Sequence, residues 1–192
     1  PSIVKRFRVG NVFVNKFFLQ SGNRIELLKL FKEENAKTGL VADGLEIKGY
    51  DPAKIMVFNP PDNDMLRNEG SPIENLSIND SSSVLLIDYK GYRILLCADI
   101  GKRGIETLLS GKDSLDADVI QVPHHGGFCE KTEDLLKRVR PKHAIISGSA
   151  KDISPSTIEI YQKHGVSLFK TDEDGAVTFT IDEDGIKVSK FL

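Results

Sequence analysis

The sequence predicts an α/β fold for a single domain that covers residues 1–192, and three patterns support this prediction. The first part of the chain is rich in short apolar runs that end at Gly, Pro or Asp-Gly, which is typical of β-strands. After Asp99, such runs alternate with segments that carry apolar residues at helical spacing, which indicates a βαβα order. Two runs near the end of the chain, separated by Asp184-Gly185, predict a closing antiparallel pair.

The strands of the first part are predicted from apolar runs that are bounded by turn residues. They cover residues 9–14, 40–42, 45–48 and 54–58. Asp43-Gly44 is a hairpin signal between the second and third of these strands. An apolar stripe at helical spacing predicts a helix over residues 24–34. Residues 59–83 are rich in Pro, Asn and Ser, so we predict a long loop there, least ordered between residues 60 and 80.

In the rest of the chain, strands and helices alternate. A hairpin of residues 84–89 and 93–98 is predicted to turn at Lys90-Gly91. Helices are predicted over residues 104–109, 132–139 and 155–163, and strands over residues 117–122, 143–146, 166–169, 176–181 and 186–190. Thr132 and Ser154 stand where their hydroxyls could cap the second and third of these helices, and a proline follows Ser154 in the first helical turn.

The stretch Val119-Ile-Gln-Val-Pro-His-His-Gly-Gly127 carries the main candidate site. Its apolar part indicates a buried strand that a proline ends, and His124 and His125 follow directly. Asp99 stands in the same relation to the strand before it. Open α/β folds place ligands just past the ends of their strands, so we predict that Asp99, His124 and His125 converge on one cleft. A surface loop with hydrogen-bonded imidazoles is the alternative interpretation of the histidine pair.

Composition argues against a strongly basic nucleic-acid-binding protein, a disulfide-rich protein and a membrane-spanning segment in this sequence. The net charge of −2 and the pI near 6.1 give no global basic field, so a nucleic-acid partner would need a local basic patch or a metal ion. Cys97 and Cys129 form no disulfide framework and no CxxC zinc motif, and we expect both to be free thiols. No stretch approaches the length of a membrane span, and no signal-peptide pattern is visible.

Five short motifs follow one another in an order that resembles a known family. They are Leu95-Leu-Cys-Ala-Asp99, Asp118-Val-Ile-Gln-Val-Pro-His-His-Gly126, Pro141-Lys-His-Ala-Ile-Ile-Ser147, Pro155 and Thr171-Asp-Glu-Asp-Gly175. The order resembles the C-terminal hydrolase domain of bacterial competence DNA-uptake channel proteins, a branch of the metallo-β-lactamase superfamily. The resemblance implies an αβ/βα sandwich and metal-dependent hydrolysis, typically of phosphoesters, with one or two zinc or manganese ions. It also implies nucleic acid as a partner and, for a longer parent protein, attachment to a membrane.

The resemblance assigns roles to three residues. Asp99 matches the aspartate of the family's Gly-Asp motif, which bridges two metal ions, because each oxygen of a carboxylate can reach one ion. His124 and His125 match the family's His-His-Gly motif, which lies beside the metals and binds or protonates the substrate. We therefore predict Asp99 and His124 as metal ligands, and His124 and His125 as catalytic residues.

The chain departs from the family at three points. The main ligand motif, His-x-His-x-Asp-His, is absent, and in the family it lies just before the segment that resembles residues 1–20. Ala98 replaces the glycine before the aspartate, and Ser154 stands where the family has a histidine ligand. Serine is a poor zinc ligand and a good helix cap, so a structural role is favoured for Ser154. The other histidines, His143 and His164, are expected to be a packed strand residue and a helix C-terminal residue.

Two explanations account for these departures, and both start from a sandwich that is N-terminally incomplete. The chain could be a fragment whose missing strands lie upstream in a parent protein, or a degenerate relative that keeps the fold and has lost the metals. In either case we predict that the chain alone binds zinc or manganese weakly and hydrolyses a generic phosphodiester poorly or not at all. A third hypothesis is a non-catalytic module that binds nucleic acid or a protein partner through a basic patch of Lys5, Arg6, Arg8 and Lys16.

Overall fold

The computed structural model describes residues 2–18, 21–61 and 77–191. Most of the predicted loop of residues 59–83 lies outside these ranges, and so does most of the segment 60–80 that we predicted to be least ordered. In the described ranges, no helix combines the length and the apolar character needed to cross a membrane.

Helices and strands follow one another along the described chain and form an α/β fold, which confirms the fold class predicted from the sequence. The helices are α1 (Ser2–Arg6), α2 (Arg24–Glu33), α3 (Lys102–Ser110), α4 (Thr132–Val139), α5 (Pro155–Lys163) and α6 (Thr171–Asp174). The strands are β1 (Asn11–Val14), β2 (Lys37–Leu40), β3 (Glu46–Ile47), β4 (Ala53–Asn59), β5 (Val84–Tyr89), β6 (Tyr92–Leu96), β7 (Val119–Gln121), β8 (His143–Ile146), β9 (Ser167–Lys170), β10 (Ala176–Asp182) and β11 (Gly185–Phe191).

A seven-stranded sheet in the order β3-β4-β5-β6-β7-β8-β9 is the centre of the fold. Neighbouring strands from β3 to β6 run antiparallel, and β5 and β6 form the hairpin predicted at Lys90-Gly91. From β6 to β9 the strands run parallel, because α3, α4 and α5 carry the chain back between them. The carboxyl ends of these four strands therefore meet at one edge of the sheet.

One face of this sheet packs against α3, α4 and α5 to form the core. Leu86, Leu95, Ile120 and Ala144 are partners across adjacent strands, so their side chains share this face. They are buried together with apolar residues of the three helices: Ile105, Leu108, Leu135, Leu136, Val139 and Tyr161. Full burial of a large apolar side chain contributes about 1.5–3 kcal/mol, so this layer fixes the sheet that carries the candidate site.

The opposite face of the sheet is partly covered by the β10–β11 hairpin, which pairs antiparallel as predicted. Phe179 of β10 packs edge-to-face against Phe169 of β9, with ring centroids 5.7 Å apart. The ring of His143 in β8 lies 6.0 Å from that of Phe179. His143 is therefore a packed strand residue, as the sequence indicated.

The N-terminal part differs from the prediction. β1 and β2 form a separate two-stranded parallel pair, with α2 as the crossover between them. The predicted hairpin at Asp43-Gly44 is wrong, because the strands on either side of it join different sheets. The N–H of Gly44 donates to the carbonyl of Val57 in β4 at 3.0 Å, so the Asp-Gly pair directs the chain from one sheet to the other.

One helix end differs from the prediction and another agrees with it. The predicted capping role of Thr132 is wrong: Lys131 holds the N-cap position of α4, and Thr132 is already its first residue. The reason is that the N–H of Thr132 donates to the carbonyl of Cys129, which begins the helical turn one residue earlier. His164 lies at the C-terminus of α5, as expected, and its Nδ1 lies 2.9 Å from the carbonyl oxygen of Ile160.

Candidate functional site

The candidate site lies at the edge of the sheet where the parallel strands β6, β7 and β8 end. Asp99 lies in the loop after β6, His124 and His125 lie in a tight turn after β7, and Ser147 follows β8 directly. Because neighbouring strands run parallel here, the loops that leave their carboxyl ends lie side by side. The topology thus brings together residues that are far apart in the sequence.

His125 is held between Asp99 and Ser147. Its Nε2 lies 3.5 Å from Oδ1 of Asp99, and its Nδ1 lies 2.5 Å from the backbone carbonyl oxygen of Ser147. A carbonyl oxygen only accepts hydrogen bonds, so Nδ1 carries a proton and donates it to Ser147. In its neutral form, His125 therefore presents the lone pair of Nε2 to Asp99.

Asp99 and neutral His125 face each other with two hydrogen-bond acceptors. A carboxylate oxygen and a nitrogen lone pair repel each other at 3.5 Å unless a proton or a metal ion lies between them. Two ligands of one tetrahedral ion, with bonds of about 2.1 Å, are about 3.4 Å apart, which is close to the separation observed here. The geometry therefore fits a cation that is shared by the two side chains.

A complete metal site needs more than these two donors. A catalytic zinc normally takes three protein ligands. Across residues 2–18, 21–61 and 77–191, no group of three or more His, Cys, Asp or Glu side chains is placed to hold a metal ion. Asp99 and His125 thus fit part of a metal site that the described residues do not complete.

His124 occupies a different place from His125. Its backbone N–H donates to the carbonyl of Ala98 at 3.0 Å, which ties the turn after β7 to the end of β6. The ring centroids of the two histidines are 6.5 Å apart, and His124 lines a cavity next to the site. The sequence paired Asp99 with His124 as metal ligands, whereas in the structure His125 is the histidine whose Nε2 approaches the Asp99 carboxylate. The catalytic and metal-binding roles of all three residues stay predictions.

The turn that carries the histidines has an unusual backbone. His124, with φ 49° and ψ 47°, and His125, with φ 55° and ψ 22°, both adopt the left-handed conformation. Ala98, on the neighbouring loop, does the same with φ 51°. This conformation costs a non-glycine residue about 1–2 kcal/mol. Three such residues at one edge of the sheet mark it as a place where surrounding contacts impose the backbone geometry.

Two glycines allow the loops to pack this closely. A Cβ on Gly126, which has φ 76°, would lie 3.0 Å from the Cδ1 of Ile146 in β8. A Cβ on Gly148 would lie 3.1 Å from the carbonyl oxygen of His125. Gly126 is therefore favoured by its backbone conformation, and at both positions a Cβ would push the histidine turn and the end of β8 slightly apart.

Gln121, the last residue of β7, holds the loop that carries Asp99, and the sequence analysis missed it. Its Oε1 accepts the N–H of Cys97 at 2.9 Å and the N–H of Ala98 at 2.7 Å. Its Nε2 donates to the carbonyl of Val122 at 2.6 Å. The only sequence signal was a single polar residue within an apolar run. This carboxamide fixes the chain just before Asp99, which makes Gln121 a positioning residue of the candidate site.

Asp80 fixes the same loop on its other side and was also missed. It is buried, and its Oδ1 accepts the N–H groups of Gly101 and Gly104 at 2.8 and 2.9 Å. Its Oδ2 accepts the hydroxyl of Ser77 at 2.8 Å. A carboxylate at the N-terminus of α3 is favoured by the helix dipole and by the free N–H groups there. Asp99 thus lies between two segments that side-chain hydrogen bonds hold in place.

The two thiols near the site are not reactive groups. Cys97 is fully buried and Cys129 is half-buried, and both are free. Burial raises the pKa of each thiol. Both side chains therefore stay protonated at neutral pH, and neither offers a thiolate ligand or nucleophile.

Ser154 lies at the N-cap position of α5, as predicted, but its hydroxyl makes no capping hydrogen bond. The Oγ of Ser154 lies 2.8 Å from the Oγ of Ser156 instead. The backbone N–H of Ser154 donates to the carbonyl of Gly126 at 2.9 Å, so this residue does lie against the histidine turn. A serine therefore occupies a place beside the site without contributing a metal donor.

The described helices and strands form an α/β fold with a seven-stranded mixed sheet at its centre. The chain is 25% identical over 183 residues to ComE operon protein 3 of Bacillus subtilis (strain 168), an alignment that covers 92% of this chain and 22% of that protein. It is 28% identical over 123 residues to competence protein ComA of Neisseria gonorrhoeae, covering 61% of this chain and 18% of that protein. These matches confirm the predicted resemblance to competence proteins. The chain spans about a fifth of the length of each of them.

No family model matches the chain. Among solved structures, it is similar to zinc-bound PqqB of Methylobacterium extorquens, with 10% identity, a TM-score of 0.45, and coverage of 83% of this chain and 62% of that one. It is also similar to a mutant of the CmlA β-hydroxylase, with 13% identity, a TM-score of 0.49, and coverage of 84% of this chain and 38% of that one.

Proposed function

We propose that this chain is a metal-dependent hydrolase domain that cleaves phosphodiester bonds of nucleic acid during DNA uptake. The observation that carries the proposal is the approach of Oδ1 of Asp99 to Nε2 of His125 at 3.5 Å. A carboxylate oxygen and an imidazole nitrogen at this distance need a proton or a cation between them, and a divalent cation is the usual catalyst of phosphodiester hydrolysis. The similarity to competence proteins over 92% of the chain supports DNA as the substrate.

The residues of the chain have separate tasks in this proposal. A divalent ion at Asp99 and His125, with further ligands, would neutralise phosphate charge and acidify a bound water. The carbonyl of Ser147 keeps the Nδ1 of His125 protonated, so Nε2 keeps facing Asp99. A protonated Nε2 cannot bind a metal, so His125 would donate to a phosphate oxygen or to the leaving group only in the alternative case in which Asp99 and further ligands hold the ion. His124, one residue away, lies on the side where the rest of the substrate would be bound.

A metal-free module that binds nucleic acid or a protein partner is the second candidate function. Two observations favour it. The hydroxyl of Ser154 bonds to Ser156 at the position where the resembled family has a histidine ligand. In the part of the chain that the structure describes, Asp99 and His125 also find no third donor for a metal ion. Such a module would use the same strand-end cleft without catalysis.

Metal titration of the purified chain separates the two candidates. Isothermal calorimetry with Mn²⁺ and with Zn²⁺ would be run on the wild type, Asp99→Asn and His125→Ala. Asp184→Asn is the matched control, because it removes the same charge as Asp99→Asn. The side chain of Asp184 is 83% exposed and lies in the β10–β11 turn. We expect weak binding that each site variant lowers by about tenfold or more and that the control leaves unchanged.

Hydrolysis of bis(p-nitrophenyl) phosphate in added Mn²⁺ is the second readout. We expect slow turnover, because two protein donors acidify a bound water less than three do. Asp99→Asn should abolish this turnover, and Asp184→Asn should leave it intact. Metal binding that is equal in the wild type and in Asp99→Asn would contradict the assigned site. Failure of the wild type to bind either metal would favour the metal-free module.

A further inference from the structure

A cavity of about 250 Å³ opens beside the Asp99–His125 pair, between the loop after β6 and the turn after β7. Its floor consists of the buried apolar side chains of Ile100, Ile105 and Val122. Ile100 directly follows Asp99, so the cavity and the candidate site share one loop. A concave apolar surface with a few polar groups at its edge is the usual form of a ligand site.

The edge of this cavity carries an exposed aromatic ring. Phe128 lines the cavity and is 73% exposed to solvent. It lies three residues after His125, in the segment that leads from the histidine turn to α4. A large apolar ring that stays in water next to a pocket offers a face for a second ring to stack on.

The charged side chains that line the cavity balance each other. The ammonium group of Lys102 at its edge is paired with the carboxylate of Glu130. Among the lining residues, this pair leaves little net charge to attract a phosphate group, whereas the apolar floor suits a neutral flat ring.

We propose that this cavity binds one nucleobase of a single-stranded nucleic acid, stacked on Phe128. The adjoining phosphate would lie at Asp99 and His125, and this placement rests on the proposed function. The ring of His124, which lines the cavity, and the ring of His125 are only 6.5 Å apart, so base and phosphate of one nucleotide reach both places. Every base has a π-face, so binding should tolerate any sequence. A duplex should bind poorly because its bases are already stacked.

Fluorescence anisotropy with labelled oligonucleotides tests this proposal in EDTA, where no metal takes part. The probes are a short oligothymidylate, an abasic oligomer of equal length and a duplex. We expect the oligothymidylate to bind more tightly than the abasic oligomer and the duplex. Phe128→Ala should weaken its binding by about 5- to 150-fold, the effect of losing one base–aromatic stack. Phe128→Tyr should retain it.

Two further variants complete the design. Tyr50→Ala is the control, because Tyr50 is also an exposed aromatic residue but lies in the turn between β3 and β4, and its loss should change nothing. Cys129→Leu places a larger side chain in the cavity wall. It should weaken binding of the oligothymidylate and leave binding of the abasic oligomer unchanged. Equal affinity for the oligothymidylate and the abasic oligomer, or an unaltered affinity in Phe128→Ala, would overturn the proposal. No binding by the wild type, both in EDTA and in added Mg²⁺ that offsets the charge of Asp99, would overturn it as well. Because the readout is binding and not turnover, these outcomes are separate from failure of the proposed hydrolase function.

Discussion

Replacing Gln121 with Leu tests how the candidate site is held in place. The change keeps the approximate size of the side chain and removes the acceptor of two backbone N–H groups, those of Cys97 and Ala98. Each part-buried donor left without a partner costs about 1–2 kcal/mol, near the lower end of the usual range. The added apolar surface of Leu offsets up to about 1 kcal/mol. The expected net loss in the free energy of unfolding is therefore about 1–4 kcal/mol.

Urea denaturation measures this loss as a shift of the midpoint at constant slope. Gln121→Glu is the matched variant, because it loses the donor to the carbonyl of Val122, as Gln121→Leu does, but keeps an acceptor oxygen for both N–H groups. Its second oxygen faces that carbonyl, so some loss remains, but the loss should be smaller than in Gln121→Leu. Val139→Ala removes buried apolar volume in α4, away from the candidate site, and should lower the free energy of unfolding by a comparable amount. Only Gln121→Leu should also weaken Mn²⁺ binding. The positioning role would be refuted by a Gln121→Leu variant as stable as the wild type, or by equal losses in the Leu and Glu variants.

Two further predictions concern the loop that carries Asp99, and a third concerns Asp118 at the opposite end of β7. Ala98→Gly should raise the free energy of unfolding by up to about 1 kcal/mol, since relief of the left-handed backbone exceeds the added freedom of the unfolded chain; lower thermal stability would contradict this. Asp80→Asn should cost about 1–2 kcal/mol in urea, because it keeps one acceptor but removes the charge at the start of α3; an unchanged midpoint would count against it. Burial raises the pKa of Asp118, but hydrogen bonds from Lys142 and from the N–H of Arg93 outweigh burial and hold this pKa below its usual 3.8. The stability that the charged Asp118 contributes is therefore present above pH 3.8 and is lost as the pH falls below that value. The stability difference between wild type and Asp118→Asn should narrow from pH 7 to pH 3, and a difference that is constant with pH would refute this.

The strand ends that carry the site could be predicted because local patterns define them. The apolar run before His124 stops at a proline, and the hairpin at Lys90-Gly91 sets the direction of the strand that leads to Asp99. Together these signals placed the aspartate and the histidine pair at one edge of the sheet. The apolar stripe of α4 likewise matched its buried face.

The supporting hydrogen bonds could not be predicted, because they join distant parts of the sequence. Gln121 bonds to Ala98 across 23 positions and Asp80 to Gly101 across 21 positions, so no local pattern announces either contact. The sequence also could not indicate which of the two histidines, His124 or His125, lies next to Asp99. Adjacent residues have no periodicity to separate them, and the left-handed backbone of the turn decides which ring approaches Asp99.

The close packing at Gly126 and Gly148 limits which substitutions this part of the chain can accept. The left-handed backbone of Gly126 favours glycine, and a Cβ at either position would lie 3.0–3.1 Å from its nearest neighbour, closer than most real Cβ contacts. In a library selected only for folding, we expect glycine to persist at 126 and 148. The imidazoles of His124 and His125 are exposed and should be replaceable there, above all by Asn, which tolerates the left-handed backbone. If histidine persists at 124 and 125 among functional sequences, the reason is therefore activity and not folding, whereas persistence of the glycines can be explained by folding alone.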